Sequence, residues 1–160
     1  MMRVGTGYDI HRFRADGALR LGGIEVPEAP RLDGHSDGDA LIHAIIDALL
    51  GAAGEGDIGQ HFPPGEPATA GIDSRELLTR VVRLVVARGF SVHNIDSTIV
   101  AERPRLGPYL HAMRETIART VGVAHSAVNV KATTNEGLGA IGSGEAIAAI
   151  AVALLDEDVP

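Results

Sequence analysis

The segment SDGDALIHAIIDALLGAA, residues 36–53, carries the strongest structural signal in the chain. Ser36 followed three residues later by Asp39 is typical of a capping box, which adds acidic charge to the first turn of a helix. Leucine and isoleucine then recur at helical spacing and form an apolar stripe, whose members are Leu41, Ile42, Ile45, Ile46, Leu49 and Leu50. We therefore predict a helix over residues 37–53 that packs against a hydrophobic core.

This predicted helix also carries polar side chains four residues apart, at Asp39, His43 and Asp47. Residues at this spacing lie on one helix face. A buried histidine bonded to Asp39 or Asp47 would explain the pattern without any function. In the functional interpretation His43 binds a metal ion, and Asp47, one turn away, orients its ring.

The residues before this helix predict a strand and a hairpin. Residues 3–12 alternate in character as a half-buried strand does, which places Asp9 and His11 on the same face. In residues 19–26 two short apolar runs flank a pair of glycines, and this pattern favours a tight turn. We expect a small N-terminal β-hairpin there.

The remainder of the chain predicts an alternation of helices and strands. In order, we expect a long loop over 54–71, a helix from Asp73 to Gly89, a strand over 90–101, a helix from Pro104 to Gly122, a strand over 128–134 and a glycine-rich turn over 135–144. Residues 145–155 are ambiguous, because their alanines favour a helix whereas a small-residue strand buried on both faces fits equally well. The alternation indicates a single α/β or α+β domain over residues 1–160.

Composition narrows the classes of function. The chain has no cysteine, so any metal must be held by His, Asp, Glu or backbone oxygen. A net charge of −7 and only 3% aromatic residues argue against nucleic-acid binding, since neither a basic stripe nor stacking platforms are present. No apolar run approaches the ~20 residues of a membrane span, and the N-terminus does not resemble a signal peptide. We expect a cytoplasmic protein without a membrane partner.

Asp9, His11 and His43 together offer one carboxylate and two imidazoles, a ligand set that zinc accepts while keeping a fourth position open. An Asp-x-His pattern alone is weak and is usually incidental. The same set also suits a phosphodiesterase or pyrophosphatase that uses zinc-bound hydroxide. A non-catalytic protein with an inert histidine cluster is the remaining alternative.

Two further places in the sequence suit phosphate. His35 precedes the predicted helix N-terminus, where free backbone N–H groups and the helix dipole favour an anion. Lys131, Thr133, Thr134 and Glu136 lie where a predicted strand meets the glycine-rich turn, and such strand ends commonly bind phosphate or Mg²⁺. An ordinary turn and a satisfied strand end would explain both places without function.

Five short sequence segments, taken together, are more specific than any of these patterns alone. They are GYDIHRF at 7–13, HSDGD at 35–39 with His43, DIG at 57–59, NIDSTI at 94–99, and VKATT at 130–134 with Glu136. In their amino-acid sequence and in their order along the chain, these segments closely resemble those of the 2-C-methyl-D-erythritol 2,4-cyclodiphosphate synthases of the non-mevalonate isoprenoid pathway. The resemblance extends over residues 3 to 155.

The resemblance implies a lyase that cyclises 4-diphosphocytidyl-2-C-methyl-D-erythritol 2-phosphate to 2-C-methyl-D-erythritol 2,4-cyclodiphosphate and releases CMP. It implies a homotrimer with active sites at the subunit interfaces. Each subunit would be ferredoxin-like, with a mixed sheet packed against helices. The last segment of the family is a strand, so we expect a strand over 145–155.

The resemblance also assigns roles to residues. Asp9, His11 and His43 would bind Zn²⁺ or another divalent ion, and Glu136 would bind Mg²⁺ or Mn²⁺ together with the substrate diphosphate. By the same resemblance, three residues would take part in catalysis: His35, Thr134 and Lys131. The methylerythritol phosphate part of the substrate would contact Ser36, Asp57 and Gly59. The cytidine pocket, supplied by a neighbouring subunit, would be formed by Ala101, Pro104, Arg105, Leu106, Ala132, Thr133 and Thr134.

The sequence departs from the family pattern in a few places. Pro64 and Ala70 occupy loop positions where relatives often have Asp and Lys. Ala140 and Ser143 stand where many relatives have Phe and Arg facing a central trimer cavity that is associated with isoprenyl diphosphate binding. We therefore expect weak or no binding of an isoprenyl diphosphate in that cavity.

Overall fold

The computed structural model of the protein describes residues 1–157, so the last three residues of the predicted domain lie outside the described part. The six strands are β1 (Met2–Arg12), β2 (Leu19–Leu21), β3 (Ile24–Val26), β4 (Phe90–Val100), β5 (Val128–Thr133) and β6 (Ala146–Glu157). The α-helices are α1 (Ala40–Ala53), α2 (Ile58–His61), α3 (Ser74–Ala87), α4 (Leu110–Val121) and α5 (Gly139–Gly142), and short 3₁₀ turns cover Pro67–Thr69, Gly107–Tyr109 and His125–Ala127.

Four strands form a mixed sheet in the order β1-β6-β4-β5. Strand β6 runs antiparallel to both β1 and β4, whereas β4 and β5 are parallel. The prediction of a mixed sheet packed against helices is confirmed. The connectivity is not ferredoxin-like as expected, because that motif runs β-α-β-β-α-β whereas the sheet strands and long helices here run β-α-α-β-α-β-β.

The strand expected over 145–155 is confirmed as β6, although alanine favours helices. Its position inside the sheet gives it backbone partners on both sides along most of its length. Small side chains at Ala149, Ala151 and Ala153 are fully buried and let α1 lie close to the sheet. Tertiary packing therefore overrides intrinsic propensity in this segment.

Strand β1 turns its small residues, and not its large ones, toward α1. A Cβ atom added to Gly7 would lie 1.8 Å from the carbonyl oxygen of Ala44, and one added to Gly5 would lie 2.1 Å from that of Ala48. The helix thus packs directly on the strand backbone. The opposite face of β1 and β6 leaves large apolar side chains exposed, at Val4, Tyr8, Ile10, Ile150 and Val152.

Helix α1 begins at Ala40, three residues later than predicted, and Ser36 is not its cap. Asp39 is the N-cap, and its carboxylate accepts from Ile42 N at 3.0 Å. The same carboxylate accepts from Gly22 N at 2.9 Å and Gly23 N at 2.7 Å, at the turn between β2 and β3. Asp39 is fully buried and ties the hairpin to the start of α1.

The predicted loop over 54–71 contains α2 and a 3₁₀ turn. Asp57 caps α2 by accepting from Gln60 N at 3.0 Å, and Asp47 accepts from Ile58 N at 2.8 Å. Helix α3 packs beside α1, and α4 packs against α3 and β5. Within residues 1–157 no helix is long and apolar enough to cross a membrane.

Candidate active site

Strand β1 and helix α1 bring three predicted metal ligands together. Asp9 Oδ2 lies 2.7 Å from His11 Nε2 and 3.1 Å from His43 Nδ1. The two histidine nitrogens are 3.2 Å apart. The close approach of α1 to the glycines of β1 is what places His43 beside the face that carries Asp9 and His11.

This triangle of ligand atoms fits a small divalent cation. Tetrahedral zinc holds nitrogen and oxygen ligands at about 2.0–2.2 Å, which separates neighbouring ligand atoms by about 3.3–3.6 Å. The observed separations of 2.7–3.2 Å need only a small outward movement to reach that spacing. In the described part of the chain, no other group of three His, Asp or Glu side chains is near enough to share an ion.

The electrostatics keep Asp9 in its anionic form. Burial raises the pKa of Asp9, but hydrogen bonds from His11 and His43 and the charge of these rings outweigh it and lower the pKa to about 2. Burial also lowers the pKa of His11, yet the hydrogen bond to Asp9 and its negative charge leave that pKa raised. The cluster therefore holds a carboxylate at neutral pH, as a cation site requires.

The His43 ring is held by hydroxyl groups, and not by Asp47 as the functional interpretation expected. His43 Nε2 lies 2.8 Å from Ser74 Oγ and 3.0 Å from Ser36 Oγ. The Asp47 carboxylate instead accepts from the backbone of α2, so its predicted role as the orienting group is wrong. Ser74 was not predicted as a site residue, because the sequence marks it only as the start of a helix.

The metal triangle lies at a cavity of 250 Å³ between β1, α1 and the 54–71 loop. His35 and Ser36 line it, as does Gly59, whereas the Asp57 carboxylate is used to cap α2. The other residues around this cavity are Ile58, Phe62, Pro64, Thr69 and Leu77. None of these five was predicted as a site residue, because four of them reach the cavity only through the folded 54–71 loop and Leu77 reaches it from α3.

His35 precedes a helix end at which the Asp39 carboxylate already accepts from one backbone donor, Ile42 N. The His35 ring joins the loop: Nε2 lies 2.9 Å from the carbonyl oxygen of Glu66 and 3.1 Å from Thr69 Oγ1. The backbone N–H of Gly65 points toward Nδ1 at 3.4 Å. His35 thus links the loop to the cavity that contains the metal triangle.

A second cavity, of 540 Å³, brings together all seven residues predicted for a cytidine pocket. Its lining is Ala101, Glu102, Arg103, Pro104, Arg105, Leu106, Gly107, Leu110, Ala132, Thr133 and Thr134. Glu102 was missed by the sequence reasoning. Its Oε1 accepts from Asn135 N at 2.9 Å and Gly137 N at 3.1 Å, and so fixes the glycine-rich turn beside the cavity.

Lys131 and Glu136 line neither of these two cavities. The Lys131 ammonium forms an ion pair with Asp96 on the neighbouring strand. Glu136 is exposed, with a left-handed backbone at φ 51°, and its Oε1 accepts from Thr134 Oγ1 at 3.4 Å. The cavities share no residue, so within one chain Asp9, His11 and His43 are separated from the predicted cytidine contacts.

Comparisons with known proteins agree along the chain. Residues 2–156 match the YgbB family. The chain is 54% identical over 154 residues to the 2-C-methyl-D-erythritol 2,4-cyclodiphosphate synthase of Trichlorobacter lovleyi, covering 96% of this chain and 98% of that protein.

Solved structures give the same result. The bifunctional IspDF of Campylobacter jejuni is similar with a TM-score of 0.95 at 38% identity, over 98% of this chain and 42% of that one. The CDP complex of IspF from Plasmodium falciparum is similar with a TM-score of 0.86 at 32% identity, over 99% of this chain and 97% of that one. The chain therefore belongs to the YgbB family of 2-C-methyl-D-erythritol 2,4-cyclodiphosphate synthases, enzymes of isoprenoid biosynthesis.

Proposed function

We propose that the protein converts 4-diphosphocytidyl-2-C-methyl-D-erythritol 2-phosphate to 2-C-methyl-D-erythritol 2,4-cyclodiphosphate and CMP. An oxygen of the 2-phosphate attacks the β-phosphorus, and the bond from that phosphorus to the oxygen bridging it to the α-phosphorus breaks. CMP leaves with the bridging oxygen, so no water is consumed. The observation that carries this proposal is the triangle of Asp9, His11 and His43 beside a cavity, in a chain of this family.

The reaction does not require a strong general base from the protein, because its nucleophile is already an anionic oxygen. Such a reaction needs positioning and charge neutralisation more than a strong general base. A divalent ion held by Asp9, His11 and His43, zinc in our proposal, supplies positive charge beside the phosphate groups. His35 and Ser36 line the same cavity and bind the methylerythritol phosphate part, next to Gly59.

His35 acts in this proposal as a phosphate ligand whose position is fixed by the loop. Its Nε2 contacts Glu66 O and Thr69 Oγ1, so ring and loop move together. Asp57 orders the same loop by capping α2 and stands beside the sugar-derived part. Ordering by backbone contacts compensates for Pro64 and Ala70, which offer no charged side chain to the substrate.

The second cavity is the proposed cytidine pocket. Its support is the joint lining by residues 101–107 and 132–134, together with the CDP complex of the Plasmodium relative. Thr134 would stabilise charge on the departing CMP, and Lys131 is proposed beside it. Glu136 offers one exposed carboxylate for Mg²⁺ or Mn²⁺, which commonly takes its other ligands from substrate phosphates and water.

A homotrimer would join the two cavities. The substrate must reach both the metal triangle and the cytidine pocket, yet the two cavities share no lining residue in one chain. The exposed apolar face of β1 and β6 is a surface that a second and third copy would bury. We also propose that the reaction takes place in the cytoplasm, where the sequence predicts the protein to be.

The deciding experiment measures CMP release from the authentic substrate with and without a chelator. We expect chelation to abolish release, readdition of a divalent ion to restore it, and His43→Ala to stay inactive while keeping a folded circular dichroism spectrum. Reaction in ¹⁸O-labelled water distinguishes a hydrolase. A cyclic product without the label supports cyclisation, whereas label in a linear product would contradict the proposal.

A further inference from the structure

A continuous set of hydrogen bonds runs from His43 through the buried Ser74 to the half-buried Asp37. Ser74, the first residue of α3, is fully buried, and its Oγ lies 2.8 Å from His43 Nε2. The Ser74 hydroxyl donates to Asp37 Oδ1. The backbone N–H of Ser74 donates to Asp37 Oδ2 at 2.9 Å, and Asp39 N donates to Asp37 Oδ1 at 3.1 Å.

The protons in this set can be assigned by counting donors. The Asp37 carboxylate receives three donors from Ser74 and Asp39 and acts only as an acceptor. A serine hydroxyl has a single proton, and that of Ser74 points to Asp37. Ser74 Oγ therefore accepts from His43, which requires a proton on Nε2.

A histidine that binds a metal ion through one ring nitrogen carries its single N–H on the other, so a proton on Nε2 makes Nδ1 the ligand atom. Nδ1 is the atom that faces Asp9 Oδ2 at 3.1 Å and His11 Nε2 at 3.2 Å. The opposite tautomer would put an N–H at that position and would exclude a cation. The direction in which the buried Ser74 hydroxyl donates its proton thus determines which nitrogen of His43 is free to bind a metal ion.

We propose that Asp37 and Ser74 are positioning residues that fix the tautomer and orientation of His43 for metal binding. The inference rests on the proposed metal site and deepens it. Histidine ligands commonly donate the N–H of their other ring nitrogen directly to a carboxylate, a carbonyl or water. Here a serine hydroxyl is interposed, and the carboxylate acts through it.

Ser36 provides a matched comparison, because its Oγ lies 3.0 Å from the same Nε2 atom. Ser36 lines the cavity, and among the described residues its hydroxyl contacts no carboxylate that would fix its proton. It can either donate or accept. Removing the Ser36 hydroxyl leaves the Asp37–Ser74 contact to His43 in place.

The test measures zinc affinity of Ser74→Ala, Ser36→Ala and the parent protein by competition with a chelating dye. We expect Ser74→Ala to bind zinc about 10–100-fold more weakly, and Ser36→Ala to stay close to the parent. The absorption spectrum of bound Co²⁺ should change in Ser74→Ala alone. Equal zinc affinity and equal Co²⁺ spectra for Ser74→Ala and the parent would overturn the positioning role.

A second measurement needs no substitution and covers the case in which Ser74→Ala does not fold. Long-range ¹H–¹⁵N correlation spectra of the zinc-loaded parent report which ring nitrogen of His43 carries the proton. A proton on Nε2 supports the proposal, and a proton on Nδ1 overturns it. If the parent itself binds no zinc, the proposed metal site fails as well, which differs from a failure confined to the Ser74 variant.

Discussion

His43 is the side chain at which three elements meet. Its Nδ1 faces Asp9 and His11 on β1, and its Nε2 faces Ser74 at the start of α3. The ligand set was predictable, since strand alternation put Asp9 and His11 on one face. Ser74 was not, because a serine after Asp73 is fully explained as the start of a helix, and its contact to His43 exists only in the folded chain.

Asp47 shows that helical spacing does not predict the hydrogen-bond partner of a side chain. It lies one turn from His43 in the sequence, yet its carboxylate accepts from the backbone N–H of Ile58 at 2.8 Å. Burial raises the pKa of Asp47, a rise that the bond from Ile58 partly offsets. Helical spacing therefore identified the shared face, but the hydrogen-bond partner was supplied by a loop.

We predict that Asp47→Ala leaves the zinc affinity unchanged and lowers the free energy of unfolding by about 1 kcal/mol, the usual net value of a hydrogen bond. Loss of the hydrogen bond to Ile58 N should make α2 less ordered and raise the KM for the substrate. Asp47→Asn, which keeps an acceptor for Ile58, is the control and should be milder. Zinc titration and chemical denaturation provide the two readouts, and a tenfold loss of zinc affinity in Asp47→Ala would refute the assignment.

Helix α1 and strand β1 show what the sequence could and could not specify about elements. Periodicity predicted both elements, but the start of α1 moved to Ala40 because Asp39 caps the helix and the hairpin turn together. Alternation in β1 predicted two faces without revealing which one is buried. The glycine face is buried because α1 packs on its backbone, and this close approach brings His43 to Asp9 and His11.

We predict that Gly7→Ala lowers the free energy of unfolding by about 3 kcal/mol or more, since backbone atoms of α1 cannot move aside easily. The added Cβ would lie 1.8 Å from Ala44 O. Gly51→Ala, in α1 over the same strand, is the matched control, because its Cβ would have no atom nearer than 3.9 Å.

The Gly51→Ala protein should be as stable as the parent or up to about 1 kcal/mol more stable, owing to the higher helix propensity of alanine. Urea denaturation of both variants measures the difference. Equal stability of Gly7→Ala and the parent protein would show that α1 does not pack on β1 in this way.

At the start of α3, pH dependence can be predicted from Asp73, the N-cap of that helix. A hydrogen bond from the Arg75 side chain, followed by the backbone N–H and charge of Arg75, lowers the pKa of Asp73 despite partial burial. A lowered pKa gives stability that is present above the unfolded value of 3.8 and is lost as the pH falls through the folded value.

We therefore predict that Asp73→Ala costs about 1 kcal/mol of unfolding free energy at pH 7. The difference from the parent should shrink steadily as the pH falls from 5 to 3. Asp73→Asn keeps a capping oxygen but not the charge, so at pH 7 its stability should lie between those of Asp73→Ala and the parent. Thermal unfolding across this pH range checks the prediction, and a difference that grows toward acid would contradict the sign.

For the whole molecule, the separation of two cavities and the exposed apolar face of the sheet are the observations that support the proposed trimer. Tyr8 and Ile150 lie opposite each other on the antiparallel pair β1 and β6, and both are exposed. The sequence alone could not predict this face, since exposure depends on which side of β1 the helix covers. The predicted trimer explains how a chain of net charge −7 could bring metal ligands and a cytidine pocket to one polyanion.

We predict that Ile150→Glu converts a trimer into monomers of 16.7 kDa. Three carboxylates facing one another in an apolar interface would be too costly to bury. CMP release should be lost while zinc binding by Asp9, His11 and His43 persists. Val86→Glu, at an exposed position on α3, is the control and should remain a trimer. Analytical ultracentrifugation decides, and an unchanged mass for Ile150→Glu would refute the interface.

Anomalous diffraction at the zinc edge, from crystals of zinc-loaded protein, tests the proposed metal site most directly. We predict one anomalous peak per chain, bound by Asp9 Oδ2, His11 Nε2 and His43 Nδ1 at about 2.0–2.2 Å. His43 Nε2 should remain on the Ser74 side of the ring. A peak elsewhere, no peak at saturating zinc, or coordination through His43 Nε2 would contradict the proposed site.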